Sequence, residues 1–254
     1  MKIVNYIRTE LYPFFGSCFT KMNVSPNIIE VGVCHGNNLR SMLQGMDPNS
    51  AVLVDQWIPY SPFKDAIPGT ALYDQLSNYF GGPVDDPKTY ENSYNYCVSE
   101  FGTNQNKIVR KDSISAAAEI ATFNQKYDLI YIDGGHLYEE VLADLNAYES
   151  LVGNNGILML DDFMDPNSEG SKVQHLGVVP AVLEFLQNHP EYQPSIITRP
   201  TPNAWSNIVL TKRDSIINDV INNELISTGV FFVEVPDNLI HSYRNSQHEN
   251  CLRF

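Results

Sequence analysis

Three carboxylates stand out by their place in the chain. Asp133 closes the run Asp128-Leu-Ile-Tyr-Ile-Asp133, and Asp161-Asp162 follow the run Gly156-Ile-Leu-Met-Leu. Both runs are short and apolar, as buried strands are, so the acids fall at strand ends. If the two strands are neighbours, three carboxylates meet. Packed that closely they repel, and some take up protons unless a cation neutralises them. An all-oxygen set of this kind suits a hard divalent cation, Mg2+ first, with water or substrate oxygens completing the shell. The competing reading is that Asp133 merely ends a strand and that Asp161 or Asp162 caps the next segment. His136 follows in the stretch Asp133-Gly-Gly-His136-Leu-Tyr-Glu-Glu-Val-Leu-Ala-Asp144-Leu.

A second constellation lies earlier. Glu30-Val31-Gly32-Val33-Cys34-His35-Gly36 comes at the end of an apolar run and leads into Leu39, Met42, Leu43 and Met46, which recur at helical spacing. Glycines at such a turn let the backbone approach a ligand closely. Their GxxxG spacing is neither the GxGxxG dinucleotide fingerprint nor a GxxxxGK(S/T) phosphate loop, so it fits a ligand without a pyrophosphate. Asp55 ends the next apolar run, where a carboxylate can take both hydroxyls of a ribose. Asp112-Ser113 follow the third run and can meet an adenine edge. Glu30, Gly32, Gly36, Asp55, Asp112 and Ser113, with Asp133 at the junction of the two constellations, are the candidate nucleoside-binding residues.

The elements that must position these groups alternate. Apolar, β-rich runs cover 28–33, 51–55, 107–110, 128–133 and 156–160, with two more at 195–198 and 207–210. Helical periodicity covers 39–46, 115–123, 138–152 and 181–186. This order predicts a parallel sheet wound on both faces, with ligands beyond the carboxyl ends of its strands. About fifty residues between Trp57 and Asn106, rich in Tyr, Pro, Gly and Asn, break the rhythm. A connection that long in a compact domain is a lid or binding loop, or an extra packing layer, with a helix expected over 90–101. A second irregular stretch, 164–177, follows the acidic pair.

Composition narrows the partners. The chain has 254 residues, 43% of them hydrophobic, which is enough for a sizeable core. Its formal charge of −14 lacks the electrostatic footprint of a nucleic-acid or anionic-membrane binder. Cys18, Cys34, Cys97 and Cys251 form no CxxC pair and read as free thiols in a reducing compartment. The absence of a signal-like or membrane-spanning run adds to an expectation of a cytoplasmic protein.

Taken in order, the glycine turn, Asp55 and Asp112-Ser113 resemble the class I S-adenosylmethionine-dependent methyltransferases over roughly residues 28–210. The Asp133–Leu145 stretch and its following acidic pair resemble more narrowly the macrocin O-methyltransferase-like subfamily, metal-dependent sugar O-methyltransferases of antibiotic pathways. The resemblance implies an α/β, doubly wound, mostly parallel seven-stranded sheet. It implies S-adenosylmethionine as cofactor and Asp133, Asp161 and Asp162 as ligands of Mg2+ or another divalent cation. It makes His136 the general base; some relatives place a base carboxylate where this chain has Gly135. His175 is a second choice, His35 is expected to offer only its backbone, and His189, His241 and His248 are expected at the surface.

The expected reaction is methyl transfer to a hydroxyl of a small polar acceptor, a sugar or glycosylated natural product. A catechol-like or other small-molecule hydroxyl is the alternative. An NAD-linked oxidoreductase shares the layout but needs GxGxxG, and a non-catalytic binding protein predicts a decayed carboxylate cluster. The expected organisation is one domain over 1–254, with a helical segment over about 1–25 and a lid-like insert over about 57–106. The N-terminal Tyr6, Leu11, Tyr12, Phe14 and Phe15 can cover the site, form a contact in a homo-oligomer, or be core.

Overall fold

The computed structural model describes residues 1–60, 67–163, 176–199 and 206–241. Nine strands form one sheet: β1 (Lys2–Val4), β2 (Asn27–Val31), β3 (Ser50–Asp55), β4 (Asn106–Arg110), β5 (Tyr127–Ile132), β6 (Val152–Leu160), β7 (Tyr192–Thr198), β8 (Ile208–Lys212) and β9 (Phe232–Glu234). Their order is β4-β3-β2-β5-β6-β8-β7-β1-β9. From β4 to β6 every pairing is parallel, β8 runs antiparallel to both neighbours, and β9 runs antiparallel to β1. The doubly wound class expected from the sequence is the one that forms. The sheet has nine strands rather than seven because β1 and β9 extend one edge. At three residues each, they are too short to show a two-residue period.

Among the described residues the helices are α1 (Arg8–Lys21), α2 (Asn37–Met46), α3 (Ala71–Phe80), α4 (Pro87–Phe101), α5 (Ser113–Ala121), α6 (Tyr138–Glu149), α7 (Val178–Asn188) and α8 (Ile217–Thr228). Side chains alternate across each strand, so both sheet faces need cover. On one face, Ile120 of α5, Leu145 of α6 and Phe185 of α7 share a core with Ile29, Ile130 and Leu158. On the other, Phe15 of α1, Met42 of α2, Cys97 of α4 and Leu225 of α8 share one with Ile28, Leu53, Leu129 and Met159. Burial on both faces is the reason the central strands read as continuous apolar runs.

Several boundaries depart from the sequence reading. The helical face expected to reach residue 152 stops at Glu149, because Tyr127 N–H donates to the Leu151 carbonyl (2.9 Å) and Val152 pairs with Tyr127, drawing the chain into β6. The N-terminal segment contains β1 as well as a helix. Leu11, Tyr12, Phe14 and Phe15 are buried in the core. His189, expected at the surface, is half-buried and stacks on Phe185 with ring centroids 4.3 Å apart. His175, His248, Cys251 and most of the 164–177 stretch lie outside the described residues, as does the side chain of His241.

The winding sets the site. From β2 the chain steps outward through β3 and β4, then crosses back to place β5 on the other side of β2. A crevice opens at such a reversal, beyond the carboxyl ends of the strands. Asp133 N–H donates to the Val31 carbonyl (2.8 Å), joining the two strand ends there.

Helix α1 crosses α2 at two glycines. A Cβ on Gly16 would lie 2.1 Å from the Gly45 carbonyl oxygen, and one on Gly45 would lie 2.8 Å from the Pro13 nitrogen. Both clashes are with backbone, which has no rotamer to move. Gly16→Ala is therefore expected to destabilise the fold by roughly 2–3 kcal/mol. That lowers the melting temperature by roughly 5–10 °C, read by thermal unfolding.

Candidate active site

The turn after β2 is held from several sides. Cys34 and Trp57 both adopt left-handed backbone conformations, with φ of 49° and 48°. Asp55, at the end of β3, stabilises both: Cys34 N–H donates to its Oδ2 (2.9 Å) and Trp57 N–H to its Oδ1 (2.7 Å). The Trp57 indole N–H closes the arrangement on the Cys34 carbonyl (2.9 Å). Burial raises the Asp55 carboxyl above its ordinary value, and these backbone donors draw it back. Its oxygens thus brace the turn, and a ribose contact would use lone pairs left over from that task.

Both glycines are required by the packing of the chain itself. Gly32 has φ 87°, and a Cβ there would lie 2.0 Å from the Asp133 carbonyl oxygen. Gly36 has φ 71°, and a Cβ there would lie 2.3 Å from the Phe101 ring. Each makes room for a neighbouring piece of this chain, β5 in one case and α4 in the other. The His35 side chain is engaged within the chain, its Nδ1 meeting the Ser93 hydroxyl of α4 at 2.9 Å. Tyr94 packs on Trp57 with centroids 5.1 Å apart, and Cys97 Sγ donates to the Cys34 carbonyl (3.5 Å). The insert therefore contains α4, a packing layer on the glycine turn, and α3, which buries no residue.

At the carboxyl ends of β5 and β6 the three acids meet, and they are not equivalent. Asp161 Oδ2 is ion-paired with Arg8 Nη1, and its Oδ1 accepts from Asn207 Nδ2 at 2.7 Å. Asp133 Oδ2 accepts from Asn38 Nδ2 (2.9 Å) and from the Tyr131 hydroxyl (3.4 Å), and lies 3.5 Å from Arg8 Nη1. The His136 ring stands between Asp133 and Asp162, with Nε2 3.6 Å from Asp133 Oδ1 and Nδ1 3.3 Å from Asp162 Oδ2. Asp162 has φ 55°, a conformation that turns its carboxylate toward His136 at some backbone cost. Ligand atoms of Asp133, His136 and Asp162 all lie within 4.8 Å of one another. The gathered set thus contains His136, whereas Asp161, expected as a ligand, is turned toward Arg8 and Asn207.

Charge explains the protonation pattern. Burial, then repulsion by Asp133 and Asp162, pushes Asp161 up to about 7 against the pull of Arg8. Burial raises Asp162 to about 6, partly offset by His136. Burial alone would lower His136, but Asp133 and Asp162 outweigh it and bring the imidazole up to about 9. Without a bound cation, His136 therefore carries a proton at neutral pH. It can accept one only when another positive charge neutralises its two carboxylate neighbours.

Glu30 tests the fit of the cofactor. It is completely buried, and neither carboxylate oxygen has a hydrogen-bond partner. Burial and Asp133 hold its pKa well above the ordinary range. A buried acid with both acceptors open fits a ligand that brings a donor or a positive charge. S-adenosylmethionine brings an ammonium and a sulfonium. The cation passes a similar test. His136 Nε2 is buried without a hydrogen-bond partner, beside two carboxylates whose chemistry suits Mg2+ or Mn2+.

Asp112 and Ser113 are split in role. Asp112 is exposed and caps α5, accepting from Ser115 N–H at 2.8 Å, which holds its carboxyl below the ordinary value. The Ser113 hydroxyl donates to Asp144 Oδ1. Asp144 lies in the quoted stretch after Asp133, yet spacing gave it no role. Arg8, Tyr131, Asn38, Asn207 and Tyr60 also went unseen. Tyr60 accepts from His136 N–H (3.0 Å) and donates to Glu140 Oε2 (2.5 Å), fixing the loop that carries the imidazole. Arg8 and Asp161 are 153 positions apart, and no local pattern encodes such a pairing.

With this geometry in view, comparison with known proteins is decisive about class. The model of a family described as "Methyltransferase domain" matches residues 29–163, more than half of the chain. Curated proteins yield no sequence match. Among solved structures, the O-methyltransferase NovP is similar at 15% identity and a TM-score of 0.53, over 81% of this chain and 79% of that one. A putative caffeoyl-CoA O-methyltransferase from Staphylococcus aureus is similar at 12% identity and 0.51, over 82% and 86%. Spermidine synthase from Thermotoga maritima is similar at 14% identity and 0.50, over 94% and 70%. At such identities these likenesses show a shared fold.

The fold and the family together define a class I S-adenosylmethionine-dependent methyltransferase. The chain belongs to the methyltransferase domain family matched over residues 29–163.

Two variants test the electrostatics. Burial pushes Asp144 up to about 7. A carboxyl with a raised folded value costs stability as pH climbs from its unfolded value, about 4, through that folded value. Asp144→Asn should therefore match the wild type in unfolding free energy near about pH 4 and exceed it at about pH 8 by roughly 2–4 kcal/mol, read by thermal unfolding. Glu30→Gln should raise the melting temperature of the cofactor-free protein at about pH 8, because it removes an acid whose ionised form burial disfavours. The same variant should weaken S-adenosylhomocysteine binding about tenfold or more, measured calorimetrically.

Proposed function

We propose that this enzyme is a divalent-cation-dependent O-methyltransferase acting on a hydroxyl of a small polar acceptor, a sugar or glycosylated metabolite. One observation carries the reading: Asp133, His136 and Asp162 converge within 4.8 Å at the strand ends of the switch-point crevice. The cofactor supplies an activated methyl group and a neutral leaving thioether, and the cation, Mg2+ first, supplies Lewis acidity toward the acceptor hydroxyl.

The residues supply the rest. Glu30 offers its open acceptors to the cationic end of the cofactor. Asp55 keeps the glycine turn in shape beneath it. Asp133 and Asp162 would hold the cation, whose Lewis acidity would ease the loss of the acceptor hydroxyl's proton. His136, neutral once the carboxylates are satisfied, takes that proton at a ring nitrogen. Tyr60 and Glu140 set the height of the His136 loop. In-line alignment of oxygen, methyl and sulfur supplies much of the remaining rate. A second reading of His136 is favoured by its position between the two acids: it can be a third cation ligand.

Asp133→Asn and Asp162→Asn are expected to lower kcat/KM about hundredfold or more and to abolish the rise in melting temperature caused by Mg2+. Full activity in EDTA would overturn the cation part. His136→Ala separates its two roles: a base variant loses turnover but keeps calorimetric Mn2+ binding, whereas a ligand variant loses both. A panel of glycosides against catechols reads the acceptor class.

A further inference from the structure

Arg8 is a member of the site to which the scheme above gives no task. It opens α1, and its guanidinium reaches over the end of β5 to pair with Asp161, to donate to the Tyr131 hydroxyl (3.2 Å), and to lie 3.5 Å from Asp133 Oδ2. Its side chain is 36% exposed, so the head group enters from the solvent side. The residues behind it, Leu11, Tyr12 and Phe15, are fixed in the core. The side chain can thus change partner without moving the helix.

A buried group of carboxylates built to receive a dication has to be neutralised when that dication is away. Arg8 supplies a fixed positive charge here, and it supplies it to one acid in particular. With Oδ2 on Arg8 and Oδ1 on Asn207, Asp161 is turned away from the group formed by Asp133, His136 and Asp162. We propose that Arg8 is a built-in competitor of the divalent cation and a positioning residue for Asp161. It withholds the third carboxylate, leaving the cation fewer protein ligands and more positions for acceptor oxygens. This inference rests on the cation site proposed above.

Calorimetric titration of the full chain with Mn2+, without cofactor or acceptor, tests it. Arg8→Gln frees Asp161 and adds one net negative charge to the cluster, so Mn2+ should bind about tenfold tighter or more. Arg8→Lys, which keeps the charge, should stay within about threefold of the wild type. Combining Arg8→Gln with Asp161→Asn should return the affinity to within about threefold of the wild type, because the recruited carboxylate is gone. Unchanged or weaker Mn2+ binding by a folded Arg8→Gln protein, with the wild type binding Mn2+, overturns the role of Arg8 alone. Absence of Mn2+ binding in both proteins overturns the cation site and this inference with it.

Discussion

The concentration of buried negative charge at one end of the sheet is the constraint from which the site follows. Glu30, Asp133, Asp161 and Asp162 all end or follow central strands, and Glu30, Asp161 and Asp162 are buried. Carboxylates in such surroundings shed charge by protonation or collect cations. This structure does some of each: Asp161 and Asp162 are held toward their protonated forms, while Arg8 and a protonated His136 stand among them. That costs stability, and the two apolar cores on either side of the sheet offset the cost.

The sheet carries the chemistry by geometry rather than by composition. Parallel strands point their carboxyl ends the same way, so acids far apart in sequence arrive side by side. The reversal of winding between β2 and β5 opens the crevice there. Small residues make the junction tight: Gly32 leaves room for the Asp133 carbonyl just past β5, and Gly36 for the ring of Phe101. Asp55 stabilises two left-handed residues at once, Cys34 and Trp57, and so keeps the turn after β2 in shape. The insert adds α4 to that scaffold through Ser93, Tyr94 and Cys97. Proteins named for quite different reactions share this fold at low identity, so the sheet by itself does not name an acceptor.

Much of this was legible in the chain alone, where the signal is local. Apolar runs located β2, β3, β5 and β6, the first ending in a glycine turn and the others in acids, because strands buried on both faces must be apolar along their whole length. Strand–helix alternation pointed to the class of fold, and the order of glycine turn, Asp55 and the acid cluster to the methyltransferases. Ile217, Ile221 and Leu225 of α8 were also visible in principle as a four-residue spacing within an Asn-rich run. Helix α3 was not read from the chain, although Leu72, Leu76, Tyr79 and Phe80 recur at helical spacing, and in the fold only Phe80 of these packs against the core, partly buried.

Tertiary structure alone decided which side chains face one another. Sequence placed Asp161 with the ligands; only the approach of α1 and β8 showed it held by Arg8 and Asn207. Sequence made His136 a base; only its position between Asp133 and Asp162 showed why it is protonated without a cation. Periodicity reports which face of an element is buried, because burial repeats along the chain. A contact between residues 8 and 161 repeats nowhere, and it exists only once the sheet has brought the two ends together.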